Sequence, residues 1–243
     1  MIENQEHLEQ LDGENKREKV ENMFDSIADK YDFLNHFLSF GVDYYWRNKV
    51  LKIIKSRKPK SILDIATGTG DLAILASKVK PEKIVGIDIS QNMLNVGIEK
   101  VNKKGLEKLI TLQQEDSEDL SFDDNTFDLA MAAFGVRNFQ NLEKGLGEIR
   151  RVLKPGGILI VLEFSQPRSF PMKQLYGFYS NNILPTFGRI ISNDASAYTY
   201  LPESVKRFPA FEDFTKIMEN VGFNKTTYES LTSGISSIYI GEK

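Results

Sequence analysis

Asp64-Ile65-Ala66-Thr67-Gly68-Thr69-Gly70-Asp71 sets an acid just ahead of two closely spaced glycines. Without a Cβ, Gly68 and Gly70 let the backbone come close to a bound molecule. A dinucleotide loop is spaced GxGxxG. Here the spacing is AxGxG, and the carboxylate two residues upstream would repel a pyrophosphate but suits a cation.

Asp88, with Ile89 beside it, lies 24 residues after Asp64 at the end of a second apolar run. From there a carboxylate can accept hydrogen bonds from both hydroxyls of a ribose. Asp116-Ser117 follows a third run and is placed to meet an adenine edge. One glycine alone reads as a turn and one aspartate as a helix cap. Polar tips at three successive strand ends instead mark the crevice where open α/β sheets bind nucleotide-like ligands. A crevice with these acids suits S-adenosylmethionine, whose sulfonium and ammonium are cationic.

The elements that must carry these residues show in the periodicity. Short apolar runs at 61–66, 83–89, 109–114, 127–133 and 158–164 alternate with helical patterns at 71–80, 91–104 and 141–153. Such alternation predicts an α/β fold with a parallel, doubly wound sheet. Two or three helices over 20–55, broken near Ser39-Phe40-Gly41, precede it. Pro155 and Gly156 stop the 141–153 helix and turn the chain into the next strand. A helix over 211–223 and strands near 224–230 and 236–241 complete the chain, the short Leu231–Ile235 link suiting an antiparallel hairpin.

This reading gives a flexible polar tail over 1–18 and one domain over 19–243. The domain divides into a helical cap (19–58), a cofactor-binding core (59–165), a helical substrate insertion (166–210) and a C-terminal helix and hairpin (211–243).

Composition excludes several chemistries. The chain has 243 residues with 41% hydrophobic and 27% charged, the balance of a soluble protein. A net charge of −3 leaves no broad positive field for a nucleic-acid partner. No cysteine and only two histidines, His7 and His36, rule out thiolate catalysis and a histidine-rich metal site. The N-terminus has no apolar core for a signal peptide, so a cytoplasmic location is expected. The aromatic stretch 170–191 is too interrupted, by Pro185 and polar residues, to span a bilayer.

From residue 50 to 165 the arrangement resembles the class I methyltransferases, which bind S-adenosylmethionine on a Rossmann-like core. The resemblance implies a mostly parallel seven-stranded sheet with an antiparallel C-terminal hairpin and helices on both faces. Tyr31-Asp32-Phe33-Leu34-Asn35 with Ser39 and Trp46, and Arg151 to Gly157 continuing to Glu163-Phe164-Ser165, are similar to the two signatures of the ubiquinone/menaquinone biosynthesis C-methyltransferases. Phe134-Gly135-Val136-Arg137-Asn138 resembles the same family's FGxRN segment, and the likeness extends through Tyr200-Leu201-Pro202-Glu203-Ser204 to the terminal hairpin. Two positions depart from the pattern. Asp43 stands where the family has histidine, and Ala133 where it has a cofactor-contacting serine, so Ala133 offers only its backbone.

The resemblance places Thr67, Asp88, Asp116 and Ser117 on cofactor contacts and implies C-methylation of a polyprenylated quinol, the naphthoquinol of menaquinone synthesis ahead of the benzoquinol. Arg137 would then stabilise a developing phenolate or hold a proton-accepting water, and Asn138 would orient substrate, though an ion pair and a helix cap are the plain readings of the two. Asp32 becomes a candidate base and Tyr31 a pocket wall. His36 is another candidate base, more simply a packed residue, while Tyr44 and Tyr45 read as core. Glu163, Ser165, Tyr198 and Tyr200 lie toward the substrate side. The 170–191 stretch would line a tail groove or touch the inner face of the membrane, and the insertion or hairpin offers a homodimer contact. A small-molecule O- or N-methyltransferase and a non-catalytic cofactor-binding scaffold are the competing readings.

Overall fold

Strands that are apolar on both sides must be covered on both faces. In the computed structural model, which describes residues 16–183 and 196–243, β1 (Ser61–Ile65), β2 (Lys83–Asp88), β3 (Ile110–Gln114), β4 (Phe127–Ala133) and β5 (Leu153–Phe164) pair in parallel. The last two, β6 (Asn224–Leu231) and β7 (Ser236–Glu242), form an antiparallel hairpin on the edge of β5. The sheet order is β3-β2-β1-β4-β5-β7-β6. It reverses direction between β1 and β4, so the strand tips open a crevice there.

Helices α1 (Lys16–Leu38), α2 (Val42–Arg57), α3 (Asp71–Ala76), α4 (Gln91–Lys103), α5 (Leu142–Val152), α6 (Met172–Phe178), α7 (Ser196–Arg207) and α8 (Glu212–Asn220) complete the described residues. The period-2 alternation of the strands sorts their side chains into two cores. On one face Ile62, Leu129, Met131 and Ile160 meet Trp46, Val50 and Ile54 of α2 with Leu72 and Ala73 of α3. On the other, Leu63, Ile65, Ala130 and Val161 meet Leu146 and Ile149 of α5 with Phe214 and Met218 of α8.

Three boundaries and one burial reading differ from the sequence reading. Helix α1 starts at Lys16, inside the segment read as a tail. Its Lys16 Nζ donates to the Phe139 carbonyl (2.6 Å) and Arg17 pairs with Asp116 (2.6 Å); residues 1–15 lie outside the described ones. Helix α5 ends at Val152, before the proline, because Pro155 forces extended backbone ahead of it. Strand β5 therefore begins at once, and Lys154–Gly157 forms a bulge between the Phe127–Leu153 and Leu129–Ile158 pairs, with Gly156 at φ 77°. Tyr44 and Tyr45 are not core. They are 54% and 53% exposed, because the four-residue spacing of Trp46, Val50 and Ile54 sets the buried stripe of α2 and both tyrosines fall beside it.

Of the 166–210 insertion, α6, the following turn to Ile183, and α7 are described, and the part of 170–191 beyond Ile183 is not. Among the described residues no helix is long and apolar enough to cross a membrane.

Candidate active site

The Gly-rich loop leaves β1 through three left-handed residues, Ala66 (φ 51°), Gly68 (φ 56°) and Gly70 (φ 77°). Phe134, at the tip of β4, has φ 62°, a strained conformation for a bulky side chain. The two turns touch. A Cβ on Gly135 would lie 2.4 Å from the Ala66 Cβ, so only glycine allows this approach.

Beneath the loop, Asp64 is fully buried and accepts a hydrogen bond from the Thr67 hydroxyl (2.6 Å). Burial pushes it up to about 7, opposed by Thr67, by nearby Arg47 and by the Ala73 N–H at the start of α3. Asp64 is thus a brace for the loop. It lies beneath the crevice and is not among the residues that line it.

The crevice is a cavity of about 270 Å³. Seven of the residues read as cofactor-binding line it: Ala66, Gly68, Asp88, Ile89, Asp116, Ser117 and Ala133. Thr67 and Gly70 lie behind it with Asp64, shaping the loop. Asp88 accepts from the N–H groups of Gly68 (2.8 Å) and Ser90 (3.0 Å), which orients a carboxylate that still has free lone pairs. Burial raises it to about 6 against the pull of those amides. Asp116 accepts the Glu118 N–H (2.9 Å), while Glu118 itself takes the amides of Gln140 (2.6 Å) and Asn141 (2.9 Å).

Sequence reading made Tyr31 a pocket wall but missed the rest of the cover. Val20, Phe24 and Tyr31 of α1 close the cavity from above, and Met93 of α4 approaches the loop so closely that a Cβ on Gly68 would come within 3.2 Å of its Cε. For Phe24 the signal was its helical spacing with Tyr31, whose ring it meets edge-on at 5.9 Å. The donor set fits an adenosyl cation: carboxylates at the tips of β2 and β3, apolar Ile89 and Met93 between, and a loop that a side chain at Gly68 would crowd.

The four residues read as catalytic separate into two pairs. Tyr31 and Asn138 border the cavity, and the Asn138 side-chain carbonyl accepts from the Tyr200 hydroxyl (3.0 Å). Asp32 and Arg137 do not border it. Asp32 pairs with Lys100 (2.6 Å) and accepts from the Thr69 hydroxyl (2.5 Å), and Lys100 also pairs with Asp71, tying α1 to the loop and to α4. Arg137 is buried against Glu163 (2.9 Å), whose side chain is wholly inaccessible, and it also donates to the Phe134 carbonyl and the Ser204 hydroxyl. Burial opposes its charge, but Glu163 holds the guanidinium protonated.

The other candidates are also engaged. His36 Nδ1 lies 2.7 Å from Asp43 and its ring stacks on Tyr44 at 4.3 Å, while Asp43, in the family's histidine position, also accepts from Ser39 (2.8 Å). Ser165 donates to the Gly234 carbonyl (2.8 Å) and pins the hairpin turn. The side chain of Tyr198 lies outside the described residues.

A seven-stranded sheet in this order, with an acid-lined crevice over a Gly-rich β1 loop, defines a class I, Rossmann-like methyltransferase fold. Among solved structures, a methyltransferase from Thermotoga maritima described as a possible histamine N-methyltransferase superposes with TM-score 0.63 over 92% of this chain and 99% of its own, at 20% identity. The profile of the ubiE/COQ5 methyltransferase family matches residues 12–243, and the chain belongs to that family. It is 49% identical to the demethylmenaquinone methyltransferase of Bacteroides fragilis, over 94% of each chain. It is 44% identical to the ubiquinone/menaquinone biosynthesis C-methyltransferase UbiE of Geobacter sulfurreducens, over 94% of this chain and 90% of the relative.

Two outcomes follow from this geometry. Protonating Asp88 removes acceptor capacity, so S-adenosylhomocysteine should bind more weakly as pH falls through about 6. Calorimetry should show Asp88→Asn binding about tenfold more weakly at neutral pH, roughly 1.4 kcal/mol, with a flatter pH profile; unchanged affinity would contradict the ribose role. Arg137→Ala should cost about 3–5 kcal/mol of stability by leaving Glu163 buried without its partner. Denaturant unfolding should recover most of that loss in Arg137→Met/Glu163→Gln, and a fully stable Arg137→Ala would contradict the bracing role.

Proposed function

We propose that this chain transfers a methyl group from S-adenosylmethionine to the ring carbon of a demethylmenaquinol, a polyprenylated naphthoquinol, in menaquinone biosynthesis. The observation that carries the reading is the division of the cavity. Asp88, Glu115 and Asp116 stand at the tips of β2 and β3, whereas across β1 the turn after β4 brings Phe134, Phe139 and the Asn138 amide, with Gln140 and Lys144 beside them and Tyr31 over Gly68. One end suits a nucleoside and the other a flat, apolar ring.

S-adenosylmethionine supplies an electrophilic methyl group on a sulfonium. Asp88 holds the ribose hydroxyls, and Asp116 and Ser117 meet the adenine edge. Tyr31, Phe134 and Phe139 hold the ring face and exclude water, so the sulfonium charge that is lost on transfer is not stabilised beforehand by solvent. The Asn138 amide, oriented by Tyr200, holds a quinol hydroxyl in the ring plane. Asp32 is taken up by Lys100 and Thr69, so the hydroxyl proton leaves to solvent before the ring is enclosed, and the hydrogen on the methylated carbon restores that hydroxyl on tautomerisation. Alignment of this kind contributes up to roughly 7–11 kcal/mol, enough to carry catalysis without a strong protein base.

The substrate's long hydrocarbon chain places it in membranes, and the described part of the 170–191 stretch exposes Phe170, Leu175 and Phe178, which supports peripheral contact with the bilayer. The shared name of the Geobacter relative favours a second acceptor, the benzoquinol precursor of ubiquinone.

The test is transfer of radiolabel from S-adenosylmethionine to chemically reduced demethylmenaquinone, beside the benzoquinol, with extraction into organic solvent. Label in the naphthoquinol is expected. Label in both would make the enzyme dual, and label in neither, with cofactor binding demonstrated, would overturn the reading in favour of a small-molecule methyltransferase or a scaffold.

A further inference from the structure

A second cavity, of about 290 Å³, lies between the α1–α2 turn, α6, α7 and the turn of the β6–β7 hairpin. None of the described side chains lining it is charged, and its apolar wall includes Val42, Trp46, Phe164, Met172, Leu175 and Ile235. Its polar groups are already in use or held neutral. The Thr232 hydroxyl accepts from the Trp46 indole N–H (2.8 Å) and the Ser39 hydroxyl donates to Asp43 (2.8 Å). Burial pushes the phenols of Tyr176 and Tyr179 up to about 12. Such a space recognises hydrocarbon.

Position decides which hydrocarbon. At the inner end, Phe164 stacks on Phe134 (4.4 Å between centroids), and Phe134 borders the cofactor cavity. Tyr176, on the cavity wall, lies within electrostatic reach of Arg137, and so does Tyr31 on the cofactor side. The two cavities thus adjoin across the stacked rings of Phe164 and Phe134. At the outer end Phe40 is 81% exposed and Leu175 is 59% exposed, leaving an apolar rim open to solvent. In a 2-polyprenyl-1,4-naphthoquinol the one open carbon of the quinol ring is adjacent to the carbon bearing the side chain. The chain must therefore leave the ring directly beside the methylated position.

We propose that this cavity seats the first isoprene units of the side chain, with the remainder leaving over Phe40 and Leu175. The inference rests on the quinol methylation proposed above, but its test is separable. Trp46 is the chain's single tryptophan and stands in the cavity wall, so its emission reports occupancy without catalysis. The full-length protein is titrated with geranylgeraniol, a prenyl chain lacking the quinol ring. The expected result is a saturable change in Trp46 emission that needs at least tenfold more ligand in Leu175→Asp and is intermediate in Leu175→Ala, with S-adenosylhomocysteine affinity as the fold control.

The absence of a saturable change, or an identical one in both variants, overturns the tail site even where methyl transfer to a quinol is observed. Tighter binding of oleate than of geranylgeraniol overturns it in favour of an acyl-chain site. A saturable, Leu175-dependent change without methyl transfer to any quinol supports a prenyl site and overturns the methylation reading instead.

Discussion

The backbone turns at the tips of β1 and β4 pack so closely that no further carbon fits between Ala66 and Gly135. Most of the site follows from this approach. It requires left-handed backbone at Ala66 and Phe134, and it sets the Gly-rich loop over the crevice where the strand order reverses. It also brings Phe134 and Asn138 to the cavity that Asp88 lines from β2, across β1. The buried charges serve this geometry from behind. Asp64 braces the first turn through Thr67, and the Arg137–Glu163 pair braces the second through the Phe134 carbonyl. Buried pairs of this kind add little net stability but fix conformation when complete.

The cover over the crevice is fastened by polar contacts as well as by buried Val20, Ile27 and Ala28. Asp32 and Lys100 join α1 to the loop, Arg17 reaches Asp116, and His36 meets Asp43 at the far end of the helix. A lid fastened by partly exposed ion pairs opens at lower cost than one packed by large apolar side chains. That suits a site which must admit two substrates and release two products.

Where periodicity and strand-end chemistry dominate, the sequence was readable. Alternating apolar runs specified the parallel sheet, and Gly68, Asp88 and Asp116 could be placed because strand tips are where such residues meet a ligand. The rest was hidden by tertiary partners. Asp32 and Arg137 looked chemical because they are charged near the site, but their partners Lys100 and Glu163 come from other elements and no local pattern links them, while Asp64 turns inward to Thr67. Tyr44 and Tyr45 obeyed helical spacing in type but not in phase. The cover by Val20, Phe24 and Met93 was hidden because apolar residues on a helix carry no mark of which cavity they close.

The central claim is that cofactor and acceptor ring meet at the Phe134–Asn138 turn. A crystal structure with S-adenosylhomocysteine bound tests it most directly. The account predicts ribose hydroxyls hydrogen-bonded to Asp88 and the sulfur in van der Waals contact with the turn, facing Tyr31. A sulfur directed away from Phe134 and Tyr31, with the ribose off Asp88, would contradict it.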